Sequence, residues 1–236
     1  MEQNSFRKGI VDGIPICLGY ISVSFTFGLA CVSADIPLWI AVLISMTNLT
    51  SAGQFAGLTI ITASGGLIEM AMTQLIINLR YSLMSLSLSQ RLGESVKTKH
   101  RFAIAFFNTD EIFAVASSQA KNVGKSYMAG LALTPYFGWA LGTFMGAALS
   151  SILPENIATS LGVAIYGMFL AIIIPPAKKN KSVFVVVICA VVLSSIIYYL
   201  PALSFISSGF SIIICAVVAA ALGAVLFPVE SGGSET

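Results

Sequence analysis

Charge is what this chain has least of. Only 9% of its 236 residues are Asp, Glu, Lys or Arg, against roughly 25% in a soluble globular chain. Hydrophobic residues make up 57%, and the mean hydropathy is +0.93. A soluble domain of this length has too little interior to hide so much apolar side chain, so lipid must replace water around much of it. Histidine is almost missing. His100 is the single one, it lies in a basic loop, and neither HExxH nor GxSxG occurs; an acid pair could support hydrolysis, but nothing positions a second catalytic group beside it. The GxxxxGK[ST] loop is also absent, so coupling to ATP would need another protein. Cys17, Cys31, Cys189 and Cys215 lie inside apolar segments and form no CxxC pair. They read as free packing thiols, and no metal or cofactor is expected.

What the chain does have is long apolar runs, and a membrane span needs ~20 such residues. Strong spans are predicted at 13–33, 66–88, 126–149, 157–174, 182–200 and 207–227. Segments 37–63 and 102–119 are also long, but their centres are polar: Asn48 to Gln54 in one, Asn108 to Glu111 in the other. Arg7-Lys8 and the first run mimic a signal peptide with a weak Val32-Ser33-Ala34 cleavage pattern. The run exceeds the usual ~7–15-residue core of such a peptide, so it is taken as the first span. The fold class expected is an all-α integral membrane protein. It forms one transmembrane transporter domain over 1–236, with a cytoplasmic N-terminus at 1–12 and a cytoplasmic tail at 228–236.

The positive loops set orientation, because Lys and Arg in short loops stay cytoplasmic. They are Arg7-Lys8, the stretch with Arg91, Lys97, Lys99 and Arg101, then Lys121 with Lys125, and finally Lys178, Lys179 and Lys181. If all eight segments cross, the Arg91–Arg101 loop is forced outside, against the rule. If six cross and the two polar-centred segments enter and leave on one side, every basic loop lands inside. Both termini are cytoplasmic either way. The second scheme brings two polar turns together near the midplane from opposite faces, the inverted broken-helix geometry of many secondary transporters. A weak internal similarity, Thr50 to Ala56 over Asn108 to Ala114 with a shared Phe-Ala pair, agrees with an inverted repeat.

A polar constellation follows. Asp110 and Glu111 sit mid-segment, where an ionised Asp costs about 2.5–3.5 kcal/mol on insertion scales, so they should face water, a counter-charge or a substrate. Paired acids also suit proton coupling. Arg80, with Asn78 at similar depth, is the natural counter-charge, and an Arg80 ion pair with Asp110 or Glu111 is the structural alternative. Glu69 lies three turns earlier on the same face, at ~16 Å, and is a further gate or coupling candidate unless it is merely interfacial. Asn48, Thr50, Ser51, Gly53 and Gln54 offer hydroxyls, amides and an unwound turn suited to a carboxylate. Asn108, Asp110, Glu111 and Phe113 would face it and take an ammonium and an apolar side chain. An anion-seeking end, a cation-seeking end and apolar walls fit an apolar amino acid. Gly138, Gly142 and Gly146 form a GxxxGxxxG helix-packing face, for a helix of this chain or of a second subunit.

Four strings in order carry a resemblance: Ser51-Ala52-Gly53-Gln54-Phe55, Asn78-Leu79-Arg80-Tyr81, Thr109-Asp110-Glu111-Ile112-Phe113-Ala114 and Gly138-Trp139-Ala140-Leu141-Gly142-Thr143. Together they resemble the AzlC family, the large subunit of bacterial branched-chain amino-acid exporters, over about residues 5 to 175. A common form of the family has His where this chain has Tyr81, so no imidazole role carries over. The resemblance implies export of branched-chain or other apolar amino acids across the bacterial cytoplasmic membrane, with a small AzlD-type membrane subunit as partner.

The function expected is therefore a secondary, proton-coupled exporter subunit and not an enzyme. A passive channel, an uptake permease for small zwitterions and an intramembrane enzyme are the alternatives. The basic clusters are short topology signals, so nucleic acid is not expected as a partner.

Overall fold

The computed structural model describes residues 3–150, 170 and 173–228. All but a few residues of the expected span at 157–174, and the expected tail beyond its first residue, lie outside them. The described residues are helical throughout: α1 (Phe6–Ser33), α2 (Leu38–Thr47), α3 (Ala52–Thr62), α4 (Leu67–Ser89), α5 (Thr98–Phe107), α6 (Asp110–Ser117), α7 (Lys125–Leu149), α8 (Lys181–Tyr199) and α9 (Ser208–Leu226). A helical stretch at 173–179 precedes α8, and a single 3-10 turn, Pro201–Leu203, separates α8 from α9. Among the described residues, β-pairing is limited to two isolated bridges. α1, α8 and α9 are each long and apolar enough to cross a membrane. α4 and α7 have 23 and 25 residues, about 35 Å or more at 1.5 Å per residue, which exceeds the ~30 Å hydrocarbon core.

Local signals place the helix starts. Ser5 accepts the Lys8 N–H and caps α1, so that helix begins seven residues before the predicted Gly13. Its first turns carry Arg7 and the i,i+4 pair Lys8–Asp12. Thr109 accepts the Ile112 N–H and caps α6, with Asp110 and Glu111 in the first turn, where carboxylates suit the positive end of the helix. α5 starts at Thr98 instead of the predicted 102, because the basic stretch with Lys99 and Arg101 is itself helical.

The described residues fall into two compact units, 3–58 with 78–150, and 59–77 with 170 and 173–228. The first is built on α1 and α7, which run parallel. Gly9 lies against Tyr127 and Leu131, and Gly28, five turns later, against Thr143 and Ala147. From α7, Gly138 faces Cys17, Gly142 faces Ile21 and Ser24, and Gly146 faces Phe25. A Cβ at any of these would meet neighbouring backbone or buried side chain. The glycine face of α7 thus packs within the chain, against α1.

Parallel packing brings residues 3–8 and 121–127 to one end. Gln3 donates through its N–H to Asn122 O, and its carbonyl accepts from the Gly124 N–H, each at 2.7 Å. The loop after α4 joins them: Val123 N–H donates to Arg91 O and Gly93 N–H to Val123 O, both at 2.9 Å, and Lys125 N–H donates to Ser95 Oγ at 3.1 Å. Arg7, Lys8, Arg91, Lys121 and Lys125 therefore share this basic end.

Two helical hairpins pack on the α1–α7 pair from opposite ends. From the far end, Ala34 and Ile36 pack beside Phe27 and Cys31, and α2 descends until Leu49 meets Tyr20 and Trp139. The chain breaks at 48–51 and turns back: Phe55 sits edge-on to Phe27 at 5.3 Å, and Leu58 packs with Phe27, Cys31 and Ala41. From the basic end, α5 rises until Phe107 sits edge-on to Tyr136 at 5.0 Å. After a break at 108–109, α6 returns. Ile112 and Ala116 pack with Tyr127 and Met128, and Gln119 Oε1 accepts from Lys8 Nζ at 3.3 Å.

In the second unit, Gly65 N–H donates to Ile60 O at 2.8 Å in the turn into α4. Glu69 and Thr73 of α4 meet the start of α9, and Gly223 of α9 packs under Val186 of α8.

Candidate functional site

Both hairpin turns in the first unit converge on Tyr20 and Trp139, whose rings meet edge-on at 5.0 Å. Tyr20 is 8% exposed, and a buried phenol needs a hydrogen-bond partner. Its Oη lies 2.5 Å from Glu111 Oε2 and 2.6 Å from Thr109 Oγ1. The Tyr20 hydroxyl thus ties Glu111 to Thr109.

Around this turn the polar side chains divide by exposure. Asn108 and Thr109 are each 4% exposed. Asn108 donates through Nδ2 to Ser85 Oγ at 3.1 Å, and its Oδ1 is a buried acceptor with no partner among the described residues. Asp110 and Arg80 form an ion pair through Oδ2 and Nη1, with both side chains about half exposed. Arg80 Nη2 also donates to Tyr81 Oη at 3.0 Å, and its guanidinium stacks over the Tyr81 ring at 4.7 Å, a favourable cation–π contact. The predicted counter-charge is thus paired with Asp110, while Glu111 is held by Tyr20. Two adjacent acids on one turn are kept in different company.

The other turn is braced from behind. Gln54, 1% exposed, accepts from Trp139 Nε1 and donates to Ser45 Oγ, both at 2.9 Å. Ser45 Oγ lies 2.6 Å from Thr143 Oγ1. Both ends of the Gln54 amide are engaged, so this side chain holds the hairpin to α7. Thr50 donates to Asn48 Oδ1 at 2.7 Å. Ser51 has φ 45°, a left-handed conformation unusual for a residue with a Cβ, and the Gly53 N–H donates to Thr50 O at 3.3 Å. The chain from Ser45 through Gln54, Trp139 and Tyr20 to Glu111 links the two turns without interruption.

The remaining predicted residues are placed apart from this chain. Asn78 lies on α4 two positions before Arg80 and is partly buried. Phe113 packs on the cluster around Ile112, Tyr127 and Leu131, in the core of the hairpin. Glu69 belongs to the second unit. Its Oε1 accepts from Ser207 Oγ and from the Gly209 N–H, the latter at 2.8 Å. It caps the N-terminus of α9 from another helix, an arrangement the helix dipole favours, and the missing Cβ of Gly209 makes room for it.

Sequence reasoning missed Tyr20, Trp139, Ser45 and Thr143. An aromatic or a hydroxyl inside an apolar run carries no cost that would flag it, unlike a carboxylate. It also missed a second polar layer near the basic end, where Asp12 Oδ2 accepts from Lys8 Nζ at 2.6 Å and from Tyr127 Oη at 2.8 Å. The Lys8–Asp12 spacing was the readable signal.

Long apolar helices and two interrupted helices with polar turns define a helical membrane protein. The profile of the AzlC protein family matches residues 15–153, which cover α1 from Pro15 onward, both hairpins and α7. The chain belongs to the AzlC family. An "Uncharacterized membrane protein" of Archaeoglobus fulgidus is 33% identical over 175 residues, 73% of this chain and 76% of that one. The inner membrane protein YgaZ of Escherichia coli is 26% identical over 188 residues, 77% of each chain. An "Uncharacterized membrane protein" of Helicobacter pylori is 27% identical over 157 residues, 63% of this chain and 68% of that one. No solved structure matches the chain.

Proposed function

We propose that this chain is a secondary transporter subunit, not an enzyme, that exports branched-chain or other apolar amino acids across a bacterial cytoplasmic membrane. Its substrate binds between the two hairpin turns, and neither hairpin crosses the bilayer. The observation that carries this reading is the convergence of the two turns on Tyr20 and Trp139 from opposite ends of the α1–α7 pair. Such interrupted helices place exposed polar groups at depth only where they line a cavity or a binding site.

The division of the acids supports the roles. Asp110, about half exposed with its oxygen on Arg80, and the accessible Glu111 are the cation-seeking groups, for the ammonium of the substrate or for a coupling proton. Asn108 Oδ1 is an unsatisfied acceptor beside them. The turn at 48–53 is the anion-seeking side, with Asn48, Thr50, Ser51 and Gly53 closest to the role, while Gln54 positions that turn. Asn78 and Arg80 set the electrostatics of the gate. The shared basic end of residues 3–8, 91–97 and 121–127 supports a cytoplasmic N-terminus by the charge rule. An AzlD-type small subunit is proposed as its partner on the resemblance alone.

Efflux of labelled valine, leucine and methionine from preloaded cells tests the reading, with the chain expressed alone and together with the small subunit. Accelerated efflux that responds to an imposed pH gradient is expected. Efflux equal to that of control cells in both cases removes the transporter assignment, and efflux indifferent to the gradient removes the proton.

A further inference from the structure

The basic-end halves of α4 and α5 leave a groove between them of about 460 Å³. Its walls are apolar, formed chiefly by Leu86, Leu92, Phe102 and Ile104. Leu86 and Phe102 are 65% and 77% exposed, so the groove is open along one side of the helix pair. Its polar end lies where α4 stops and α5 starts, at Ser89, Thr98 and Arg101. Its inner end reaches Ser82 and Ser85 on α4 and Ala105 on α5, the last seven residues up α5 from Thr98 and therefore about 10 Å deeper.

Arg101 at the mouth has no carboxylate within ion-pair distance among the described residues. Arg101 makes one long hydrogen bond, 3.4 Å to Ser89 O, and a guanidinium has five donors. The ion pairs among the described residues are Lys8–Asp12 and Arg80–Asp110; neither involves Arg101, Lys97 or Lys99. The first turn of α5 adds its own positive end at Thr98.

We propose that this groove binds an anionic phospholipid, with one acyl chain between α4 and α5 and the headgroup phosphate on Arg101 and the first turn of α5. Each half of the site matches one half of that ligand. A guanidinium fork recognises a phosphate in bidentate fashion, and basic pockets between helices at a membrane surface favour anionic headgroups. An apolar slot open to the bilayer is filled by hydrocarbon. A free amino acid would satisfy the mouth and leave the length of the slot without a partner. The site is separate from the Tyr20–Trp139 cluster, though Ser85 at its inner end is the hydroxyl that accepts from Asn108.

The test uses the full-length chain purified into detergent with an equal mixture of phosphatidylglycerol and phosphatidylcholine, followed by native mass spectrometry. The parent chain should retain phosphatidylglycerol several-fold over phosphatidylcholine. Arg101→Gln should reduce that ratio to near parity. Ala105→Trp, which fills the slot and leaves the charge, should also lose the lipid. Equal retention of both lipids by the parent overturns the proposal. So does loss in Arg101→Gln with full retention in Ala105→Trp, which would mark a surface-charge effect without a groove. Should either variant fold poorly, photoreactive acyl-chain phosphatidylglycerol on the parent chain decides the matter. Labelled peptides from α4 and α5 support the site, and labelling confined to α8 and α9 sinks it.

Discussion

Tyr20 joins what the two polar turns do separately, and its hydroxyl can be removed without removing its ring. Tyr20→Phe keeps the edge contact with Trp139 and deletes the donor to Glu111. A hydrogen bond to a charged group contributes about 1.5–3 kcal/mol to stability, so the melting temperature should fall by several degrees, and efflux per folded molecule should fall on the order of tenfold if transport needs Glu111 held in place. Wild-type efflux in both Tyr20→Phe and Glu111→Gln would take the acid out of transport. Arg80 and Asp110 call for a different experiment, because an ion pair alone would explain both. Arg80→Asp combined with Asp110→Arg preserves the pair and inverts its polarity. If Asp110 meets an ammonium or a proton, the double variant stays inactive. Recovered efflux would make the pair purely structural. Ser51, at φ 45°, separates backbone from side chain. Ser51→Gly relieves a left-handed cost of about 1 kcal/mol and should raise the melting temperature slightly; efflux falls only if the hydroxyl itself holds the carboxylate. Asp110, Glu111 and Arg80 were legible in the sequence because charge in an apolar run is conspicuous. Tyr20 and Trp139 were not, because aromatic side chains are at home in a span and reveal their polar ends only when a partner is seen.

Among the elements, the α1–α7 seam is the least tolerant of added volume. Gly142 touches the backbone of Ile21 and the hydroxyl of Ser24, so Gly142→Leu must push the helices apart. Overpacking costs about 1–3 kcal/mol in a well-packed core, and backbone contacts have less room to yield than side chains. A large drop in melting temperature and in membrane yield is expected. Gly19 is the control: among the described residues nothing lies within 4 Å of a Cβ placed there, and Gly19→Leu should leave both unchanged. Equal behaviour of the two variants would argue against the seam. The glycine spacing identified this face in advance, and the direction of its partner came only from packing, since one motif fits a helix from inside or outside the chain. The polar centres of 37–63 and 102–119 announced helix breaks, which the structure places at 48–51 and 108–109. Helix starts were less legible: Thr98 and Phe6 begin helices inside basic stretches, where capping outweighed hydropathy.

For the whole molecule, the basic end makes a prediction about sidedness. Loops 91–97 and 121–125 are hydrogen-bonded to each other, so cysteines replacing Lys97 and Lys121 should react with an impermeant maleimide from the same face of the membrane. Labelling from opposite faces would return 102–119 to a full crossing. Charge counting alone favoured this arrangement but left eight crossings open, because the sequence does not record which loops touch. The parallel seam also has a bearing on biogenesis. The facing surfaces of α1 and α7 are separated by more than a hundred residues of chain. At ribosomal speeds of about 5–20 residues per second, α1 waits on the order of ten seconds in the membrane before its mate is made. During that interval its glycine-lined surface is open to any other small-residue helix nearby. The seam therefore closes as a late event of synthesis, and nascent chains halted before residue 125 should be recognised as orphans and degraded.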